Sequence, residues 1–471
     1  KWIESDGGVS FEARSPSTGQ LIGTIPEGTR DDARRAVAAA GDAWRDWAAR
    51  SAFDRSAALR RVAEVIAERR DDMARTLTLD QGKPLRAEAY DEVDELVAYF
   101  DMAAADATRI EGLMPPSIGA DKRILVYRVP RGVVGVITPW NWPYTMPAEI
   151  VAPALAAGNA VVWVPAPSTS VCAVKLAECI VEADLPTGVF NMVTGPGPVV
   201  GDEVASNPGT DAVGFIGSIA TGHRVAERAA GKELILEMGG NGPMVLLDDA
   251  DVDAAVRPTL EACFLNAGQS CTAGERLLVH HRVRDDFLSA LTSSTERDIR
   301  LGDPFDDGTT LGPLNNEPTA DKTERHIRDA GERGAALVLG GRRAEEHGSP
   351  LFYEATVLDG VTEEMEVARE ETFGPVVPIT PIRGEDQALE IAGSSPYGLL
   401  TSVFTRDLKR GLRFAEASRA GWVNINEGTN YWESHLPFGG GSGSRSGVGR
   451  VGGRFSIERL TELKTVVVNL G

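Results

Sequence analysis

The sequence lacks several features that would assign its chemistry directly. No run of 18 or more apolar residues occurs among its 471, so it offers no candidate for a membrane-spanning helix. Basic residues are outnumbered, 48 Lys and Arg against 69 Asp and Glu, for a formal charge of −21. Nucleic acid and anionic membrane surfaces need clustered cations, so neither is expected as a partner. Four cysteines in so long a chain do not make a disulfide scaffold. Six histidines lack the close Cys/His spacing of a metal site, so no metal is expected, and the adjacent His280–His281 pair would point two ways on a strand. Lys1–Ser10 has no apolar signal core, and a cytoplasmic protein is expected.

What is present fits a chain of two or three domains at about 100–200 residues each. Up to about Ile110, stretches such as DDARRAVAAAGDAWRDWAA and RSAALRRVAEVIAERRDDMARTL repeat apolar residues at three- and four-residue steps, a helical period. Gly82-Lys83-Pro84 interrupts this pattern, and a further helix is expected from about Arg86. Two β-rich runs follow as an expected pair, Arg123–Arg128 and Gly132–Thr138. Apolar strands then alternate with helices: Ala160–Val164, a helix over Ser170–Ala183, Val189–Thr194, a helix near Val199–Ala205, and Ala212–Ile216. That alternation indicates a parallel sheet covered on both faces. A second α/β series over Asn241–Thr429 has strand candidates at Leu277–His280, Ala336–Leu339 and Val376–Ile379. The terminal LKTVVVNLG reads as an exposed strand in search of an edge, commonly on another subunit.

Four short stretches carry chemistry. In FLNAGQSCTAGER, Cys271 lies among small and polar residues, where it is either a small residue that fits or a nucleophile. Cys172, Cys179 and Cys263 sit in apolar helical patterns and read as core. Glu237, in ILEMGGNGP, has no cation beside it in sequence, so it is either structural or a base whose proton affinity is set by a dry pocket. Asn141, in TPWNWP, caps a turn or donates to a developing oxyanion. Gly217 to Gly222 follows a strand and opens a helix, so it is either a plain turn or a place where amides meet phosphate.

Together these pieces resemble the aldehyde dehydrogenase superfamily. The likeness rests on PWNWP, PALAAGNAVV at Pro153–Val162, Gly217–Gly222, LEMGG, GQSC, GDPF and LGPL within Gly302–Leu314, EETFGPV at Glu370–Val376, YGL at Tyr397–Leu399 and PFGG at Pro437–Gly440, in the family's order. It implies an α/β fold with a Rossmann-like cofactor domain (1–118 and 135–240), an α/β catalytic domain (241–444) and a small β oligomerisation element (119–134 and 455–471). The resemblance makes Cys271 the nucleophile, Glu237 the base that activates water, and Asn141, with the Cys271 N–H, the oxyanion donor. It places Thr138, Pro139, Trp140, Val164, Pro167, Gly217, Ser218, Gly222, Glu371 and Phe373 at NAD or NADP. Trp142, Met146, Leu265 and Phe438 would line the aldehyde tunnel, with Thr429–Leu436 at its mouth. A homodimer or homotetramer and a small-molecule aldehyde complete the picture. The retained Glu237 favours hydrolysis to the free acid over transfer to a thiol.

The sequence departs from the family in three places. Where many relatives have Lys-Pro-x-Glu at the adenosine ribose, this chain has Val164-Pro165-Ala166-Pro167. Losing the carboxylate removes a bar to a 2′-phosphate and losing the lysine removes its attraction; with no other cation in VPAPSTS, the balance tilts to NAD. Ile150 stands where many relatives have lysine. The run PFGGGSGSRSGVGR replaces PFGG-x-Lys-x-Ser-Gly and leaves its backbone path open. The mostly apolar and aromatic tunnel lining suggests a medium-sized apolar or aromatic aldehyde; the alternatives are a semialdehyde or other polar aldehyde, or a catalytically retired structural relative. Glu149, Glu433 and His435 could touch a polar substrate, but a surface position or one behind the lining is expected for each.

Overall fold

The computed structural model describes residues 2–471. Its strands form two mainly parallel sheets and two small antiparallel ribbons. The six-stranded sheet runs in the order Gly447–Val448, Glu233–Met238, Ala212–Gly217, Val133–Ile137, Ala160–Val164, Phe190–Met192, parallel except for the first. Its central strands VVGVI and AVVWV are almost wholly buried, as strands covered by helices on both faces must be. The seven-stranded sheet runs Ala336–Leu339, Thr356–Asp359, Val376–Ile382, Arg276–His280, Pro243–Leu246, Leu400–Phe404, Trp422–Ile425, with only the first antiparallel.

The N-terminal helices are Arg30–Ala48, Ala52–Glu68, Arg70–Gln81 and Tyr90–Ala107. The first two open with capping boxes, Thr29 with Asp32 and Ser51 with Asp54, which satisfy otherwise orphaned amides. The expected continuous helix through Arg55–Leu77 is two helices: Arg69 leaves the helical region at φ −101°, ψ 13°. Gly82 ends the next helix in the left-handed region, at φ 103°, a conformation that glycine adopts without strain. Helix Tyr90–Ala107 begins with a single π turn, Leu85–Ala89, and packs against Ala52–Glu68 and Thr145–Ala156. Leu96, Phe100, Ile66 and Leu155 belong to the fully buried core there.

Three local expectations are corrected. The two β-rich runs around Pro130 do not pair with each other. Lys122–Pro130 is partly exposed along its whole length and pairs with Thr461–Asn469, whereas the continuously apolar Val133–Ile137 enters the centre of the six-stranded sheet. The terminal strand is therefore not unpaired, since it finds its edge within its own chain, although Leu463 and Val467 remain exposed. The His280 and His281 rings do not diverge; the strand stops at His280 and the rings lie 4.3 Å apart, tilted by 32°.

The glycine run has a defined path. Gly447–Val448 pairs antiparallel with Glu237 and Leu236, and Ser446 accepts from Met238 N. A Cβ on Gly447 would lie 2.2 Å from the Leu236 carbonyl, and one on Gly441 would lie 1.8 Å from that of Arg419. Only glycine permits backbones to approach this closely.

Candidate active site

The carboxyl ends of the first sheet's strands face the amino ends of the second's across one cavity of about 400 Å³. Residues following strands Val133–Ile137, Ala212–Gly217 and Glu233–Met238 line it from one side. Residues preceding strands Arg276–His280, Val376–Ile382 and Leu400–Phe404 line it from the other. Strand order reverses direction around Val133–Ile137, the kind of switch point where open α/β sheets bind ligands.

The cavity brings together Asn141, Glu237 and Cys271 with Pro139, Trp140, Gly217, Ser218, Glu371 and Phe373 and with Trp142, Met146, Leu265 and Phe438. Of the four cysteines Cys271 alone is partly accessible. Cys172, Cys179 and Cys263 are buried: the first two point from one helix face to Thr76 O and the Met73 sulfur, and Cys263 to Gly274 O. The Cys271 loop is held under local strain, with Asn266, Ala267 and Gly268 consecutively left-handed at φ 52°, 54° and 74°. Gly268 passes so close to Gly374 that a Cβ would lie 2.1 Å from its carbonyl. Asn141 Nδ2 donates to Gln269 O at 3.0 Å, while Asn266 Nδ2 donates to Asn141 O at 2.8 Å. The amide is thus fixed against the turn that carries Cys271.

Glu237 is 4% exposed, and neither of its oxygens has a hydrogen-bond partner. Burial, reinforced by Glu149 and opposed by Arg450, holds its carboxyl well above the ordinary range. Burial likewise raises the Cys271 thiol, with Glu371, Glu149 and Glu237 adding to the effect. The glycines after Glu237 have steric reasons: a Cβ on Gly239 would lie 2.8 Å from the Glu371 carboxylate, and one on Gly240 would lie 2.1 Å from Cys271 O.

Glu371 accepts from Gly240 N at 2.8 Å, and burial pushes its carboxyl to about 8. Phe373 stands edge-on to Trp140 at 5.6 Å. Ser218 caps helix Ile219–Arg228 through Thr221 N. A carboxylate acceptor, an aromatic wall and a helix start therefore meet beside Cys271, which fits a ribose, a flat ring and a phosphate.

Four of the expected cofactor residues do not line this cavity. Thr138 accepts from Trp163 Nε1 at 2.9 Å, and Val164 is 2% exposed within its strand. Pro167 begins an exposed turn, and Gly222 is a packing glycine whose Cβ would lie 2.0 Å from the Met238 sulfur. Glu433 and His435 are exposed, facing each other at 3.5 Å.

Glu149 is neither at the surface nor behind the lining: it is 6% exposed, lines the cavity and accepts from Tyr99 Oη at 2.7 Å. As the one charge in the buried helix TMPAEIVAPALA, three residues from Met146, it carried a readable signal. Glu95, Lys322, Asn430 and Trp432 also line the cavity. Glu275, four residues after the nucleophile candidate, was not anticipated; its carboxylate accepts from Thr372 N and Phe373 N, each at 2.8 Å.

The model of the aldehyde dehydrogenase family matches residues 2–466. The chain is 39% identical to the succinate-semialdehyde dehydrogenase [NADP(+)] GabD of Escherichia coli (strain K12), covering 100% of this chain and 96% of that one. Other relatives at 36–38% identity include succinate- and glutarate-semialdehyde dehydrogenases and the 3-sulfolactaldehyde dehydrogenase of Pseudomonas putida. It is 37% identical to the chloroplastic betaine aldehyde dehydrogenase of Beta vulgaris, over 97% of this chain and 92% of the relative. A solved NAD-dependent aldehyde dehydrogenase from Sinorhizobium meliloti superposes with a TM-score of 0.96 at 38% identity, over 100% of this chain and 93% of the other.

Proposed function

This chain belongs to the aldehyde dehydrogenase family and oxidises an aldehyde with NAD(P); we propose that it does so through Cys271, with hydrolysis to the free acid. The supporting observation is Glu237: a buried carboxylate whose two oxygens have no partner, in the same cavity as the only accessible thiol among the described cysteines.

In this reading Cys271 gives up its thiol proton to solvent and its sulfur adds to the aldehyde carbon. The Asn141 amide and the Cys271 N–H hold the oxygen that gains charge. Bound NAD(P) supplies the hydride acceptor, and Glu371, Phe373, Gly217 and Ser218 are the residues that would hold it. With hydride gone, a thioester on Cys271 remains. Glu237 takes a proton from a water that attacks this thioester, and the thiol leaves with the proton returned.

For the nucleotide we infer NAD, because Val164 and Pro167 offer no cation to a 2′-phosphate and none stands nearby in VPAPSTS. Among relatives both nucleotides occur, NADP in the E. coli enzyme and NAD in the S. meliloti one. For the substrate, the alternative of a polar aldehyde replaces the apolar or aromatic one. The relatives are named for succinate and glutarate semialdehydes, for 3-sulfolactaldehyde and for betaine aldehyde, all small and charged at the end away from the carbonyl. The same reading divides the chain as the sequence suggests, with 119–134 and 455–471 as the element that joins a cytoplasmic homodimer or homotetramer.

The test is absorbance at 340 nm over a panel of polar and apolar aldehydes with NAD and with NADP, for the natural chain and for Cys271→Ala. Turnover by the former and none by the latter is expected. Equal turnover by both would remove Cys271 from the mechanism.

A further inference from the structure

The sign of the substrate's far-end charge can be read from the cavity wall. On the assumption that Cys271 acts on an aldehyde here, we propose that this aldehyde carries a cationic group, an alkylammonium or quaternary ammonium, at the end away from the carbonyl.

Two carboxylates enter the cavity from neighbouring helices, Glu95 from Tyr90–Ala107 and Glu149 from Thr145–Ala156. Glu149 is 6% exposed; one of its oxygens accepts from Tyr99 and the other has no protein partner. Glu95 makes neither a hydrogen bond nor a salt bridge among the described residues. Lys83 lies close by but is committed elsewhere: it donates to Glu92 at 2.5 Å and sits 3.1 Å from the Trp142 ring centroid, outside the cavity lining. Lys322 is the one lining cation among the described residues, and it lies on the nucleotide side, 5.8 Å from the Phe373 ring.

An aldehyde ending in a carboxylate would therefore bring a further negative charge into a buried space with no cation to receive it, an arrangement that is strongly disfavoured. An uncharged end would leave both carboxyls held toward their protonated forms by burial, with no use made of their charge. A cation satisfies both, and the remaining walls suit it. Trp142, Trp432 and Phe438 line the same space, with Trp432 and Phe438 at 5.2 Å, and aromatic faces attract alkylammonium groups. Burial raises the Glu95 carboxyl to about 7 and that of Glu149 to about 8, a shift that a bound cation reverses.

The experiment compares kcat/KM for 4-(trimethylammonio)butanal, butanal and succinate semialdehyde in the natural chain, Glu95→Gln and Glu149→Gln. The cationic aldehyde is expected to exceed butanal by about tenfold and succinate semialdehyde by more, and each variant should lower the cation-to-neutral ratio. A preference for succinate semialdehyde, a ratio near one, or a ratio unchanged in both variants overturns the proposal. Absence of turnover with every aldehyde would instead count against the reaction assigned to Cys271. In that event tryptophan fluorescence of Cys271→Ala, titrated with choline and with succinate, decides the charge question: quenching by choline alone supports it, and equal or succinate-only quenching overturns it.

Discussion

Glu275 grips the backbone of Phe373: its carboxylate accepts the Phe373 N–H at 2.8 Å, and that of Thr372 at the same distance. Phe373 is left-handed at φ 61°, a conformation that a bulky residue holds only where its surroundings impose it. Because Glu275 follows Cys271 by four residues, one carboxylate ties the loop of the proposed nucleophile to the loop of the proposed nucleotide contacts. Replacing Glu275 with Ala leaves two buried amides unpaired, which costs about 1–3 kcal/mol for each. The expected result is a lower Tm and a rise in KM for the nucleotide larger than that for the aldehyde, measured by thermal unfolding and steady-state kinetics. Equal rises in both KM values would indicate general unfolding.

Gly240 provides a steric test of the same loop. Its Cβ would lie 2.1 Å from Cys271 O, a backbone atom that cannot rotate away. Gly240→Ala should therefore displace the Cys271 loop, cost about 1–3 kcal/mol through overpacking, and reduce kcat far more than Gly231→Ala, where nothing stands within 4 Å. Since Gly231 is itself left-handed at φ 87°, the comparison already includes backbone strain. Comparable kcat values in the two variants would show that the close approach does not matter.

Stability should fall as pH rises across the neutral range. Burial places the carboxyls of Glu95 and Glu275 at about 7 and those of Glu149 and Glu371 at about 8, above the ordinary 4.5 of a free glutamate. Between pH 5 and pH 8 the folded chain therefore holds protons that the unfolded chain has released, and the stability slope with pH is negative. Their contribution is fully present below the unfolded value and is lost as pH passes the folded values. Scanning calorimetry of the ligand-free protein should show Tm decreasing from about pH 5 to pH 8; a Tm rising over that range contradicts these raised values.

How much of this was legible in the sequence depended on the kind of residue. Cys271, Glu237 and Asn141 stood out because a thiol among small residues, a carboxylate before two glycines and an amide in an aromatic turn each lacked an ordinary local role. The central apolar strands were equally plain, since continuous burial leaves a continuous apolar run. The partner of Lys122–Pro130, more than 300 residues away, was not legible from local pattern, which pointed to Gly132–Thr138; only the family resemblance placed 119–134 and 455–471 in one element. Glu275 resembles any glutamate before a strand, and its role exists only through amides nearly a hundred residues later. Glu149 was misplaced because charge ordinarily marks a surface, yet its helix is buried along its whole length. The glycine run was opaque for a related reason: its spacing is set by carbonyls of Leu236 and Arg419 brought in from other elements.

The central claim is that Cys271 carries the acyl group and Glu237 directs its hydrolysis. The most direct measurement is the intact and peptide mass of Glu237→Gln after mixing with NAD and a substrate aldehyde. Removing the base should slow hydrolysis by about 10²–10⁴-fold, so an acyl adduct should accumulate and map to the peptide containing Cys271. Full steady-state turnover with no adduct, or an adduct on Cys172, Cys179 or Cys263, would contradict the account.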